Sequence, residues 1–289
     1  MKDNNMTSTG KKFTILLLLI FIIPIFSHAQ EKIIFGLTGT IFKGDLKIFD
    51  EWKTYLEKKL HTPVELKFSR TYSEMINMIN LGQVDVAYVC NTTYVTLQKQ
   101  NSVKLLTIPA TKEGEIYYSY IISKKDMAYN NLFDFKDKIF AFTDPGSNSG
   151  AIAPTYELLQ NGLVPKKYFK KIIYTYKHGE SIQAVLDQFV DGASVDSLVY
   201  DQFIKRYPNE ARNLKVVEKL GPFPMSPIVA NNNLDSRIFT NIQMIFTNMH
   251  KDQEGHNILN KLSLDKLNLP HDKDYSEIEK TMNYITTNE

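Results

Sequence analysis

The sequence predicts an α/β protein built from two similar lobes that are joined by a hinge of two crossovers. The order strand, helix, strand, helix, strand occurs twice along the chain, and matching segments of the two copies lie 105 or 106 residues apart. A chain of 289 residues is long enough for two domains. Alternating strands and helices indicate a parallel sheet covered by helices in each lobe.

The elements of the first copy follow from apolar periodicity. Short apolar runs predict its strands, and apolar residues at helical spacing, such as Phe49, Trp52 and Leu56, predict its helices. Gly82 ends the second helix. The predicted elements are a strand at 33–37, a helix at 49–60, a strand at 64–68, a helix at 72–81 and a strand at 84–89.

The second copy repeats this pattern down to single residues. The segment "IFGLT" at 34–38 matches "IFAFT" at 139–143 at three positions. Asp85 and Asp191 precede the last strand at equal places in the two copies, and we expect both to accept hydrogen bonds from nearby amides as structural groups. The predicted elements are a strand at 139–143, a helix at 151–160, a strand at 172–176, a helix at 181–189 and a strand at 192–195.

The domain organisation follows from the repeat. We expect a first lobe of residues 31–115 plus 221–289 and a second lobe of residues 116–220. The crossovers near Gly114 and at 221–227 would form the hinge, and the helical pattern at 238–262 would pack on the first lobe. A ligand that touches both lobes would supply the free energy of hinge closure.

The N-terminus has the pattern of a cleaved signal peptide at residues 1–29. Lys11 and Lys12 precede an apolar run at 13–26, and the small residues Ser27 and Ala29 follow it. The run is short for a transmembrane span, so an uncleaved anchor is the weaker alternative. We expect a mature protein that begins near Gln30 and is soluble in the periplasm.

Composition argues against several classes of function. The chain has 34 basic and 32 acidic residues; its first 29 residues hold three lysines and one aspartate, which leaves 31 of each. A balanced charge gives no basic field for nucleic acid. Cys90 is the single cysteine, so an intrachain disulfide is impossible, and we expect it to be a small buried residue. No metal-binding motif is present, and no cofactor is expected.

The carboxyl ends of the strands are where open α/β sheets bind ligands. One such turn is "FTDPGSNSG" at 142–150, where free amides at a helix start and serine hydroxyls could hold an anion. The alternative is an ordinary helix cap with Ser149 as the N-cap. His178 and Tyr72 occupy matching turns, so we expect them on opposite sides of one cleft, although His178 could also be a helix-start residue. Asp196 could bind an amino group or be a solvated loop acid, and Tyr117 could line the cleft or belong to a buried strand.

Three stretches resemble the PhnD-like periplasmic proteins of ABC transporters for phosphate, phosphite and phosphonate: "TDPGSNSGAIAP", "HGESIQAVLDQFVD" and "YSEMINMINLGQVDVAYVCNTTY". The resemblance covers residues 33–229. It implies a type II periplasmic binding fold that closes on an oxyanion and presents it to an ABC permease in the inner membrane. The ligand-binding residues it indicates, together with the cleft positions above, are Tyr72, Thr93, Tyr94, Ser147, Asn148, Ser149, Gly150, His178 and Asp196.

Two details follow from the resemblance. The family usually has Thr at the position of Asn148, and this difference leaves the identity of the oxyanion open. A histidine beside an oxyanion is expected to have a raised pKa, because a nearby negative charge favours the protonated ring. We therefore expect the ligand to raise the pKa of His178.

Two other functions remain possible at this level. A sensor module that presents its ligand to a membrane kinase would use the same cleft. A periplasmic enzyme acting on phosphate esters is less favoured, because Asn148 stands where the nucleophile elbow G-x-S-x-G requires serine. We therefore predict a binding protein and no catalytic residues.

Overall fold

The structure is a computed structural model that describes residues 32–38, 46–271 and 275–288. The predicted signal peptide at 1–29 lies outside these residues, as does the turn after the first strand. In the described ranges we find no helix with the length and apolar character needed to cross a bilayer.

The predicted order strand, helix, strand, helix, strand is present in both copies, with an additional short helix at Pro165–Tyr168 in the second. The strands are β1 Ile33–Leu37, β2 Val64–Phe68, β3 Val86–Tyr88, β4 Val103–Ala110, β5 Ile116–Lys124, β6 Ile139–Phe142, β7 Lys171–Tyr174, β8 Gly192–Asp196, β9 Leu214–Pro224, β10 Ile228–Asn231 and β11 Lys266–Asn268. The α-helices are α1 Leu46–Leu60, α2 Tyr72–Asn80, α3 Asn91–Lys99, α4 Ala153–Gln160, α5 Pro165–Tyr168, α6 His178–Leu186, α7 Ser197–Arg206, α8 Pro208–Ala211, α9 Ser236–Asn248, α10 Gln253–Lys261 and α11 Ser276–Asn288.

The strands form two sheets with the same internal order. The first sheet runs β11-β4-β10-β3-β1-β2, and the second runs β7-β6-β8-β5-β9. In each sheet three parallel strands (β2-β1-β3 and β7-β6-β8) meet one antiparallel strand, β10 in the first and β5 in the second. We call these sheets with their helices the first and second lobes. The expected type II fold with two α/β lobes is confirmed.

The chain passes between the sheets twice, as predicted. It leaves the first sheet after β4 and enters the second at β5, through residues 111–115. It returns between β9 and β10, through residues 225–227. β9 continues to Pro224, so the second sheet extends past the predicted lobe boundary at residue 220.

The internal repeat is visible in one pair of equivalent hydrogen bonds. Asp85 accepts from the Ile34 N–H at 2.7 Å, and Asp191 accepts from the Ile139 N–H at 2.8 Å. In each lobe the aspartate stands just before the third parallel strand, and its carboxylate accepts a hydrogen bond from the first strand. The structural role predicted for both aspartates is confirmed.

Each lobe has its own core between its sheet and its helices. In the first lobe, Trp52 of α1 lies 5.4 Å from Phe35 of β1 and 5.4 Å from Phe246 of α9, measured between ring centroids. In the second lobe, Phe140 of β6 stacks on Phe169 at 4.7 Å. These cores hold the carboxyl ends of the parallel strands in place.

The stretch 238–262, predicted to be helical, contains two helices. α9 ends at Asn248, a 3₁₀ turn follows at Met249–Lys251, and α10 begins after Asp252. Asp252 is the N-cap of α10, because its side chain accepts from the Gly255 N–H at 2.8 Å. Both helices pack on the first lobe, which was the expected position.

Candidate functional site

The turn at 144–150, here called the anion loop, joins β6 to a continuous helical segment whose second part is α4. Ser147 is its N-cap: the Ser147 hydroxyl accepts from the Gly150 N–H at 3.1 Å, and the Ser147 carbonyl accepts from the amides of Ala151 and Ile152. A π-helical turn at Asn148–Ile152 precedes α4. The alternative with Ser149 as the N-cap is wrong, because the helix begins at Asn148 instead of the predicted residue 151.

Gly150 is required here by close packing. A Cβ atom at Gly150 would lie 1.6 Å from the Thr143 hydroxyl oxygen, so only glycine fits without displacing the end of β6. Its N–H already donates to Ser147. The sequence predicted Gly150 as a place of close approach by a ligand, but in the structure the neighbouring atom is the Thr143 side chain.

Side chains on one face of β5 hydrogen-bond to the anion loop. Asn148 donates through Nδ2 to the Tyr117 hydroxyl at 3.0 Å. The Ser149 carbonyl accepts from the hydroxyls of Ser119 and Ser194, both at 2.6 Å. Tyr117 and Ser119 lie on the same face because side chains alternate along a strand. Tyr117 therefore belongs to the site region, and the sequence had left its position open.

His178 is the first residue of α6 and is only 1% exposed. Its Nδ1 accepts from the Asp196 N–H at 2.9 Å, so in the neutral ring the proton is on Nε2. That Nε2 is buried and has no hydrogen-bond partner among the described residues. Burial lowers the pKa of His178 to about 3. In this structure His178 is therefore a neutral donor, and any rise in pKa caused by a ligand would begin from this low value.

Asp196 ends β8 and caps α7. Its Oδ1 accepts from the Leu198 N–H at 2.8 Å and from the Val199 N–H at 3.4 Å. The residue is 6% exposed, and burial raises the pKa of its carboxyl to about 7. The alternative of a solvated loop acid is therefore wrong. Its binding of an amino group stays a prediction.

The first lobe meets the anion loop through α2 and α3. The Tyr72 N–H donates to Asp144 at 3.0 Å, and the Thr92 hydroxyl donates to the Gly146 carbonyl at 2.5 Å. The Tyr72 ring is buried at this contact. Tyr72 is thus at the cleft as predicted, and Thr92 and Asp144 are cleft residues that the sequence did not single out.

Thr93 and Tyr94 follow in α3. The Thr93 hydroxyl is buried and has no partner within the described part of the chain. The Tyr94 ring packs edge-on against Tyr275 at 4.9 Å, inside the core of the first lobe. The structure therefore places Tyr94 against the C-terminal segment, and its contact with a ligand stays a prediction.

Unpaired polar atoms collect at the carboxyl ends of the parallel strands. Buried side-chain polar groups usually have a hydrogen-bond partner, so each exception calls for an explanation. Six atoms without a partner in the described chain follow five different strands: Thr38 Oγ1 after β1, Ser69 Oγ after β2, Thr93 Oγ1 after β3, Thr143 Oγ1 and Asn148 Oδ1 after β6, and His178 Nε2 after β7. These are the ends of both sheets where the ligand was expected.

Two cavities border this region. One of about 310 Å³ is lined by Tyr72, Thr93, Asp144 and Gly146, among others. A second, of about 30 Å³, adjoins Asp196 and holds little more than one water molecule. Within the described residues, no cluster of three or more His, Cys, Asp or Glu side chains could hold a metal ion.

Comparison with known proteins identifies the family. Residues 44–275 match the family model of the periplasmic substrate-binding proteins of phosphonate ABC transporters. The chain belongs to this family. The resemblance inferred from the anion loop and the α2 and α6 segments is thereby confirmed, and with it the function as a substrate-binding component of an ABC transporter.

Individual relatives agree with the family. The phosphonates-binding periplasmic protein of Escherichia coli K12 is 29% identical over 248 residues, 83% of this chain and 72% of the relative. The phosphate-import protein PhnD of Mycolicibacterium smegmatis is 28% identical over 216 residues, 70% of this chain and 67% of the relative. PhnD1 of Prochlorococcus marinus, solved in complex with methylphosphonate, has a TM-score of 0.80 at 19% identity, covering 88% of this chain and 98% of its own. The last likeness shows the fold alone.

Proposed function

We propose that this protein captures a phosphonate- or phosphate-type oxyanion at the anion loop, between its two lobes, and delivers it to an ABC permease without transforming it. The observation that carries the proposal is the His178 Nε2–H, a buried donor with no acceptor in the described structure, at the strand ends that also bear the anion loop. The ligands named for the relatives from E. coli, M. smegmatis and P. marinus belong to the same chemical class.

Recognition would rest on neutral hydrogen-bond donors. The His178 ring is neutral, and the other donors we assign to the ligand are the hydroxyls of Tyr72, Thr93 and Ser149, with the start of the helix at Asn148. The dipole of a helix also favours an anion near its N-terminus without a cationic side chain. Charge-assisted hydrogen bonds to an oxyanion are about twice as strong as neutral ones, so such donors are sufficient.

The hydrogen bonds of Ser147 and His178 favour a binding site over a catalytic one. Ser147 is held as a helix cap, and the His178 Nδ1 accepts a main-chain N–H, so neither has the nucleophile-to-base contact that covalent catalysis needs. The family supplies the remaining inference: the closed pair of lobes is what the permease would recognise. Export by a cleaved signal peptide at 1–29 fits a periplasmic location and is part of this proposal.

Titration calorimetry with methylphosphonate, phosphate and phosphite tests the proposal directly. Ser149→Ala should weaken binding by about 1–3 kcal/mol, because a charged ligand then lacks one hydrogen bond. Ser236→Ala, an exposed serine at the start of α9, is the matched control and should bind as the wild type does. An unchanged affinity in Ser149→Ala would remove that hydroxyl from the site. Phosphorus NMR of a phosphate ester incubated with the protein should show no turnover; hydrolysis would favour an enzyme instead.

A further inference from the structure

Asn148 presents an acceptor, not a donor, in the anion loop. Its Nδ2 is already engaged, because it donates to the Tyr117 hydroxyl at 3.0 Å. Its Oδ1 is buried and receives no hydrogen bond from any described residue, and the residue as a whole is 1% exposed. An amide oxygen can only accept, so the missing partner must bring a hydrogen atom.

The loop itself does not supply that hydrogen. The Gly150 N–H donates to Ser147 Oγ, and the amides of Ala151 and Ile152 donate to the Ser147 carbonyl. Tyr117 is the acceptor of the Asn148 side chain. These donors of the loop are thus committed elsewhere, and Oδ1 stays unpaired at the strand ends where the ligand is proposed to bind.

We propose that Asn148 restricts the site to oxyanions that carry a proton, by accepting a hydrogen bond from the P–OH group of a singly protonated phosphonate or phosphate. This inference rests on the proposed function. A site built around a substrate hydroxyl rejects an analogue without it, because its own acceptor is then left buried and unpaired.

The charge of the surroundings favours the same ligands. Asp144 lies in the anion loop itself, is 4% exposed and accepts from the main-chain N–H groups of Tyr72 and Gly146. Each additional negative charge on the ligand raises its repulsion from this carboxylate in a poorly solvated site. A proton on the ligand reduces this repulsion and also satisfies Asn148.

Sulfur analogues of the ligands separate the proton from size and shape. Hydrogen phosphate and sulfate have the same charge, as do hydrogen methylphosphonate and methanesulfonate at slightly acidic pH, but the sulfur compounds carry no proton. We expect wild-type protein to bind each phosphorus ligand at least about 100-fold more tightly than its sulfur analogue, as expected where a site recognises a hydroxyl. Equilibrium titration of all four anions provides the comparison.

The variant Asn148→Ser gives the second arm, since a hydroxyl can both donate and accept. The ratio of the affinity for a phosphorus ligand to the affinity for its sulfur analogue should fall by about tenfold or more, because the variant binds the sulfur analogue more tightly. Asn231→Ser is the matched control: Asn231 is buried in β10, its Nδ2 donates to the Ile79 carbonyl, its Oδ1 accepts from the Asn233 N–H, and its ratio should stay at the wild-type value.

The outcomes are distinct. Failure of all four anions to bind wild-type protein would overturn the proposed function itself. Binding of a phosphorus ligand together with its sulfur analogue within about tenfold would overturn only the role of Asn148, as would an unchanged ratio in a folded Asn148→Ser variant. The wild-type comparison needs no substitution, so it decides the matter even if Asn148→Ser does not fold.

Discussion

Removing the carboxyl group of Asp196 should make the stability of this protein depend steeply on pH. His178 and Asp196 are both buried and joined by the hydrogen bond from the Asp196 N–H to His178 Nδ1. Burial lowers the pKa of His178 from 6.5 to about 3 and raises the pKa of Asp196 from 3.8 to about 7. Both shifts favour the neutral form, but their effects on stability have opposite signs.

The signs follow from proton binding in the folded and unfolded states. Below pH 6.5 the unfolded chain protonates His178 while the folded protein does not, so stability falls as the pH decreases toward 3. Above pH 3.8 the unfolded chain releases the Asp196 proton while the folded protein keeps it until about pH 7, so stability falls as the pH increases. Between pH 3.8 and 6.5 the two effects offset each other in the wild type.

Asp196→Asn removes one of the two effects and keeps the helix cap, because Asn is as good an N-cap as Asp. The free energy of unfolding should then gain a slope of about 1.4 kcal/mol per pH unit relative to the wild type. Over the shared window of pH 3.8 to 6.5 this difference amounts to roughly 4 kcal/mol. His178→Gln should give the opposite change, with stability falling as the pH rises.

Urea unfolding curves at several pH values between 4 and 7 measure these slopes. Asp50→Asn is the control, since it makes the same chemical change at an exposed position of α1. If the curves of Asp196→Asn and wild type remain parallel, the Asp196 carboxyl is ionised in the folded protein and the assignment of a neutral buried pair is wrong.

Three further predictions test other parts of the structure. Edman sequencing of exported protein should start near Gln30, and an intact Met1 on membrane-bound protein would reject the cleaved signal peptide. Gly150→Ala should destabilise the fold by about 1–3 kcal/mol, because the added Cβ overlaps Thr143; an unchanged urea midpoint would contradict the packing. Asp85→Ala and Asp191→Ala should each cost about 1–3 kcal/mol by the same assay, and a clear difference between the two would contradict their equivalence in the repeat.

The elements could be predicted because the repeat and the apolar periodicity point to the same answer. β1 and β2 have the predicted bounds, and the matching carboxylates of Asp85 and Asp191 make matching hydrogen bonds. The sequence predicted only a helical pattern at 238–262, because the apolar periodicity continues through the break between α9 and α10. The Asp252 cap and the close packing of Gly255 on Met249 locate the break, and both are local contacts that apolar periodicity does not register.

The candidate site was predictable in its position but not in its chemistry. Parallel strand ends converge whatever their side chains are, so the anion loop and His178 could be placed together. Tyr117 could not, because β5 lies outside the segments whose sequence repeats, although β10 is its counterpart in the first sheet. The choice between Ser147 and Ser149 as the cap, and the tautomer of His178, depend on single hydrogen bonds that no spacing specifies.

The contacts between the lobes bear on the hinge closure that the sequence predicts. Tyr72 and Thr92 of the first lobe hydrogen-bond to the anion loop, and the ring of Tyr284 in α11 lies 5.2 Å from that of Tyr156 in α4. A hydrogen bond contributes about 0.5–1.5 kcal/mol net, and an aromatic pair about as much, so such contacts alone favour closure by only a few kcal/mol. A ligand bound by donors of both lobes, as proposed, would add a differential affinity of similar size in favour of the closed arrangement. Substitutions at Tyr284 should therefore weaken ligand binding from a distance, since the free energy of closure and the affinity for the ligand are coupled.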